Sequence, residues 1–125
     1  MNAEITSALA RGGIIDLTTT GRQSGLARRI EIVFHPVDGR IIISGRPRLE
    51  KRAWIANIEA DPRVIVHLKR DVVADLPGTA RVITDEAERR AILAHVARAW
   101  GRDDVEAMIQ HSPLIEVVLD DDPLA

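Results

Sequence analysis

At 125 residues, 46% of them apolar, the chain has the material for one hydrophobic core and too little length for two. It contains no cysteine, which excludes a disulfide framework and thiolate metal sites. A net charge of −2 argues against bulk attraction to nucleic acid, and no apolar run approaches the roughly 20 residues needed to cross a bilayer. The opening MNAEITSALARGG lacks a basic segment followed by an apolar stretch, so no secretory signal is read there. The expectation is a single-domain (1–125), soluble, cytoplasmic protein with no integral membrane association.

Residues 3–11 are predicted to form a short helix, and the β-branched run IIDLTTT (14–20) a strand. After a loop bounded by Gly21 and Gly25, RRIEIVFHPV (28–37) alternates Ile30, Ile32 and Phe34 on one face with Glu31, Val33 and His35 on the other. Asp38-Gly39-Arg40 is a hairpin turn, and IIIS (41–44) continues as the next strand. LEKRAWIANIEADP reads as one helix ended by Pro62, with Trp54 and Ile58 sharing a face. RVIVHL (63–68) is a further strand; VVADL (72–76) and TARVI (79–83) read as two more, separated by Pro77-Gly78. Thr84 or Asp85 can cap the helix that follows, with Glu88 completing a capping box, and Gly101 stops it after Trp100. Residues 102–111 read as a short helix, and PLIEVVL (113–119) as a last strand before an acidic tail. These elements make an α+β, mainly β protein: a small barrel of six or seven mostly antiparallel strands, with one helix between strands and helices near the C-terminus.

Charge is distributed unevenly along the chain. Residues 22–52 hold eight basic groups (Arg22, Arg28, Arg29, Arg40, Arg46, Arg48, Lys51, Arg52) against Glu31, Asp38 and Glu50, a net of +5. Residues 71–125 hold twelve acids against five arginines, a net of −7. The first half is therefore suited to attract a small anion. Within it, the Gly21–Gly25 loop has the parts of an oxyanion cradle. Its glycines let backbone N–H groups turn outward, Ser24 offers a hydroxyl, and Arg28 can grip phosphate through two parallel bonds. The plain alternative is a glycine-bounded hairpin whose arginines serve only solubility.

Two stretches carry a family resemblance. TTTGRQSGLAR has Thr18 to Gly21, Arg22, Ser24, Gly25 and Arg28 in the pattern TTTGR-[KR]-[ST]-G-x-x-R, and WIANIEADPRV has Trp54, Asn57, Ala60, Asp61, Pro62 and Val64 in the second. In these the chain resembles the deazaflavin (F-420)-dependent nitroreductases. These are split β-barrel proteins related to the pyridoxamine-phosphate-oxidase-like flavin-binding group. The resemblance covers residues 12–70 well and the remainder by element order. It implies a split-barrel homodimer holding coenzyme F-420, with FMN as the alternative. Hydride would pass from the reduced ring to a small-molecule acceptor such as a nitro compound, quinone or enone; a non-enzymatic FMN or lipid carrier using the same groove is the competing reading. The cofactor carries the chemistry in such proteins, so no catalytic side chain is named.

The resemblance also implies roles for particular residues. Arg22, Gln23, Ser24, Gly25 and Arg28 would hold the phosphate, Ser44 and Gly45 would let the ring approach the backbone, and Arg46, Lys51 and Trp54 would close over tail or ring. The chain departs from the family in three places. Gln23 stands where a lysine is common, SGRPRLEKRAW replaces a glycine pair and a histidine or asparagine before proline, and there is no tyrosine. Trp54 is read either as a stacking residue or as core, and Asn57 as a cap or a bridge to a loop. His35 and His67 are sheet residues rather than metal ligands, since no histidine pair has ligand spacing with acidic partners, and no metal is expected. His111 and Ser112 are adjacent on a turn and point apart, which disfavours a catalytic triad.

Overall fold

The computed structural model describes residues 1–121; Asp122 to Ala125, the end of the expected acidic tail, lie outside the described residues. In chain order the elements are α1 (Ala3–Arg11), β1 (Gly13–Thr20), β2 (Ala27–Val37), β3 (Arg40–Ser44), α2 (Ala53–Ala60), β4 (Arg63–Lys69), β5 (Val73–Val82), α3 (Glu86–Trp100), α4 (Val105–His111) and β6 (Leu114–Leu119). The strands close into a barrel in the order β1-β2-β3-β6-β5-β4, with every pairing antiparallel.

The period of two in the strands sends one apolar set inward. Ile15 and Leu17 of β1, Phe34 of β2, Ile41 and Ile43 of β3, Val64 and Val66 of β4, and Ile115 and Val117 of β6 fill the barrel. Ile55 and Ile58 of α2 join that cluster, which fixes the helix against the barrel. Ile42 points the other way, into a second cluster made with Leu93, Val96, Met108 and Leu114 under α3 and α4. This is why the run IIIS is apolar without alternation: β3 is buried on both faces. Each fully buried side chain of this size is worth about 1.5–3 kcal/mol.

Three elements differ from the sequence expectation. The two strands expected around Pro77-Gly78 are one, β5. Residues 73–79 pair with β4 and residues 78–82 with β6, so the chain turns the barrel corner at this dipeptide without leaving the sheet. A Cβ on Gly78 would lie 2.7 Å from the Val118 carbonyl oxygen, a close approach that only glycine permits. Helix α2 starts at Ala53 rather than Leu49. The Arg48 N–H donates to the His111 carbonyl (3.1 Å) and the Arg52 guanidinium to the Arg46 carbonyl (2.8 Å), and these tethers hold residues 46–52 as a strap. Before α4, Arg102 folds onto Asp104 (2.6 Å), delaying the helix to Val105. Asp85, not Thr84, caps α3 by accepting from the Glu88 N–H (2.9 Å), while the Glu88 carboxylate turns to Arg81 and Arg40 instead of closing the box.

Candidate functional site

The loop between β1 and β2 is held by its own backbone and by α2. The Gly21 N–H donates to the Leu26 carbonyl and the Gly25 N–H to the Gly21 carbonyl, both at 2.8 Å. Gly25 has φ +71°, the left-handed turn that glycine supplies at no steric cost. The Ser24 hydroxyl oxygen accepts from the Leu26 N–H (3.1 Å), and Asn57 Oδ1 accepts from the Arg22 N–H (3.1 Å). Of the backbone donors expected at Gln23, Ser24 and Gly25, the Gly25 N–H is thus turned inward and bonded within the loop. Among the described residues, only the Gln23 and Ser24 N–H groups of residues 21–26 have no protein acceptor. The Ser24 hydroxyl proton is also free to donate outward, since its oxygen serves the loop as an acceptor.

Two adjoining depressions form one groove along the outside of β2. The first, about 350 Å3, is lined by Gly21, Arg22, Gln23, Ser24, Arg28, Ile30, Ala53, Trp54 and Asn57. The second, about 580 Å3, shares Ile30, Ala53 and Trp54 and runs on to Ser44, Gly45, Arg46, Arg48, Lys51, Arg52 and Trp100. The groove therefore gathers every site residue expected from the sequence except Gly25, which shapes the loop without lining the space. Trp54 packs against the barrel core and also forms part of the wall common to the two depressions. Asn57 is 6% exposed and bridges helix and loop, with its Nδ2 also donating to Thr19 Oγ1 at 3.3 Å.

Ion pairing distinguishes the groove arginines from six others, although Arg11, Arg70, Arg89 and Arg98, which lie outside the groove, also lack a carboxylate partner among the described residues. Arg29, Arg40, Arg63, Arg81, Arg90 and Arg102 each bond a carboxylate, and none of them lines the groove. Among the described residues, the groove arginines 22, 28, 46, 48 and 52 have no carboxylate partner. Among the described residues, the Arg22 guanidinium reaches only the Asn57 side chain (3.0 Å) and the Ala53 carbonyl (3.4 Å), and the Arg28 guanidinium, beside Gly21, has no acceptor. Burial and the neighbouring Arg48 pull Arg52 below the usual arginine range. Lys51, by contrast, is paired with Glu59 at 2.7 Å. Ser44 is 7% exposed and its hydroxyl donates to the Pro113 carbonyl (2.7 Å), so it positions the strand rather than offering a donor to a ligand. A separate cleft of about 630 Å3 beside α1, β3 and β6 contains Arg40 and Glu116, which bond each other, and Asp38, so it presents no unpaired guanidinium.

Comparison with known proteins agrees with this geometry. The family model for F420H(2)-dependent quinone reductases matches residues 1–122. The chain belongs to that family. Among solved structures, a conserved hypothetical protein of Mycobacterium tuberculosis matches with a TM-score of 0.74 at 20% identity, covering 96% of this chain and 81% of that one. An F420-H2 dependent reductase matches at 0.62 and 24% identity, covering 85% and 94%, and a domain-swapped dimer at 0.63 and 23%, covering 85% and 80%. These similarities establish the split-barrel fold.

As a member of the F420H2-dependent quinone reductases, the protein is an F420-dependent oxidoreductase with coenzyme F420 as its cofactor. The donor set of the groove fits that molecule. An unpartnered guanidinium at Arg28, a hydroxyl at Ser24 and two free N–H groups suit a phosphate, and the adjacent Ile30 and Trp54 suit a planar ring.

The remaining candidates lie elsewhere in this reductase. His67 joins three strands on the outer face of the barrel, with Nε2 2.6 Å from Thr18 Oγ1 and Nδ1 2.7 Å from Asp75 Oδ1. The arrangement has the order of a nucleophile, base and carboxylate, yet neither Thr18 nor His67 lines a described cavity, and the set acts as a strut. His35 is buried against the Trp100 ring edge (4.7 Å), and burial, then the nearby His95, lower its pKa. Ser112 donates to the Gly45 carbonyl (2.7 Å) and has no link to His111. No helix among the described residues is long and apolar enough to cross a membrane. Groove residues not named as site residues from the sequence include Ile30 to Val33 of β2, which alternation places in a strand without a ligand signal, Ala53, which carries no chemical signal, and Trp100, which reaches the groove because α3 folds over β2.

Proposed function

We propose that the protein is a homodimeric, cytoplasmic quinone reductase. It would hold coenzyme F420 with the phosphate between Arg22, Gln23, Ser24 and Arg28, and the ring over Ile30 and Trp54. The carrying observation is Arg28: among the described residues its guanidinium has no acceptor, and it lines the same depression as the Ser24 hydroxyl and the Gln23 and Ser24 N–H groups, beside an apolar strip. An unpaired guanidinium in that position is matched by a bidentate oxyanion. Asn57 fixes the height of the loop above α2, and Trp54 and Ile30 exclude water from one face of the ring. When bound in its reduced form, the cofactor supplies hydride; the acceptor quinone gains that hydride and one solvent proton to become a hydroquinone. A quinone is preferred to a nitro compound because the matching family is described by its quinone substrate.

The dimer is supported by three apolar side chains near the groove: Leu26 (62% exposed), Leu49 (88%) and Trp100 (36%). Covering them with a second copy would bury apolar surface and close the groove. A domain-swapped assembly is described for one of the similar structures. The absence of cysteine suits a reducing compartment.

The test is to mix the purified protein with reduced F420, add menadione, and follow the return of the oxidised cofactor's absorbance, with FMN titrated in parallel. Oxidation that requires both protein and quinone supports the reading. F420 or FMN binding without turnover would make the protein a carrier, and a monomer by light scattering at micromolar concentration would remove the dimer.

A further inference from the structure

The groove has a second positive end that the cofactor phosphate does not use. Arg46, Arg48 and Arg52 lie on the strap after β3 and line the wider depression together with Trp54, Trp100 and Pro113. None of the three has a carboxylate partner among the described residues, whereas their neighbour Lys51 is neutralised by Glu59. The strap is held in place: Arg48 is tied through its backbone to α4, and the Arg52 guanidinium donates to the Arg46 carbonyl while lying 3.4 Å from the point where a Gly45 Cβ would be. Glu31, the acid that also lines this depression, is paired with Lys69. Keeping three like charges together with no ion pair of their own is unfavourable, and partial burial of Arg52 adds to the cost. An anion arriving from solution relieves both effects.

The order of groups along the groove says which anion. In a deazaflavin cofactor the ring is one terminus, the phosphate is central, and the glutamyl tail extends from the phosphate away from the ring. With the phosphate at Arg28 and the ring over Ile30 and Trp54, the tail leaves on the loop side. The strap then lies beyond the ring, where the acceptor enters. We propose that Arg46, Arg48 and Arg52 form an acceptor subsite that selects a quinone bearing a carboxylate or sulfonate over a neutral one. This rests on the cofactor orientation given under the proposed function.

Both tryptophans of the chain line this depression, so their fluorescence reports its occupancy directly. Anthraquinone sulfonate titrated onto protein loaded with oxidised F420 is expected to quench that fluorescence, and the Arg46→Gln/Arg48→Gln variant to bind it about tenfold or more weakly, as the loss of charge-assisted contacts requires. The ratio of kcat/KM for anthraquinone sulfonate to that for methylanthraquinone should fall by a similar factor. Equal sulfonate affinity in variant and wild type overturns the subsite. A variant weakened only toward F420 carrying its glutamyl tail, and not toward the tail-less form, assigns the arginines to the tail and overturns it too. Circular dichroism of the variant establishes that it is folded. Because Arg28→Ala tests the cofactor orientation separately, a failure there and a failure of sulfonate selection are distinguishable.

Discussion

Asn57 Oδ1 accepts two hydrogen bonds from Arg22, one from its backbone N–H at 3.1 Å and one from its guanidinium at 3.0 Å. Through this buried amide, with a longer bond from Arg22 to the Ala53 carbonyl (3.4 Å) beside it, the loop that carries the candidate phosphate site is fixed to α2. The helix is in turn anchored in the barrel core by Ile55 and Ile58. Core packing thereby sets the position of the site.

Asn57→Ala removes both bonds and the contact to Thr19, leaving the Arg22 N–H without its partner. A loss of about 1–3 kcal/mol of stability is expected in urea unfolding, accompanied by weaker F420 binding. Asn57→Asp, which keeps the acceptor, should retain more of both. Wild-type stability and affinity in the alanine variant would show the bridge to be inert.

Acid sensitivity should centre on Glu88. Arg81 first, and Arg40 after it, hold this carboxylate down at about 2, against an ordinary value of 4.5. Its folded pKa is the lower one, so the folded state binds fewer protons. The stabilisation is complete above about pH 4.5 and is lost as the pH falls toward 2. Glu116, depressed by the same two arginines, adds to the same window. Urea midpoints measured from pH 6 to 2 should decline in the wild type and flatten in Glu88→Gln. Parallel curves for the two proteins would contradict the assignment.

Gly78 marks the barrel corner. An alanine there would put its Cβ 2.7 Å from the Val118 carbonyl, a backbone atom of the paired strand that cannot move alone. Gly78→Ala is therefore expected to cost about 1–3 kcal/mol and to lower Tm. An unchanged Tm would mean that β5 and β6 part at no cost.

Much of this was legible in the residues themselves. Alternation in β2, the Asp38-Gly39 turn and the Asp85 cap are local signals, and the structure follows them. The strap was not legible, because LEKR has good helix propensity and the contacts that keep it out of the helix, Arg48 to the distant His111 carbonyl and Arg52 to the Arg46 carbonyl, come from tertiary packing. Pro77-Gly78 misled for a related reason. A breaker pair looks the same in sequence whether it ends a strand or bends one between two neighbours. In the site, the presence of arginines was visible, but which ones lacked partners was not. Arg29 and Arg28 are adjacent in sequence, yet Arg29 bonds Asp16 (2.9 Å) while Arg28 turns to the groove.

The affinity of F420 for the wild type and for Arg28→Ala, measured by quenching of tryptophan fluorescence, tests the central claim most directly. The Arg28 side chain makes no hydrogen bond or ion pair among the described residues, so the variant should unfold near the wild-type urea concentration and bind the cofactor about tenfold or more weakly. Equal affinity in the two proteins would place the phosphate elsewhere and contradict the account.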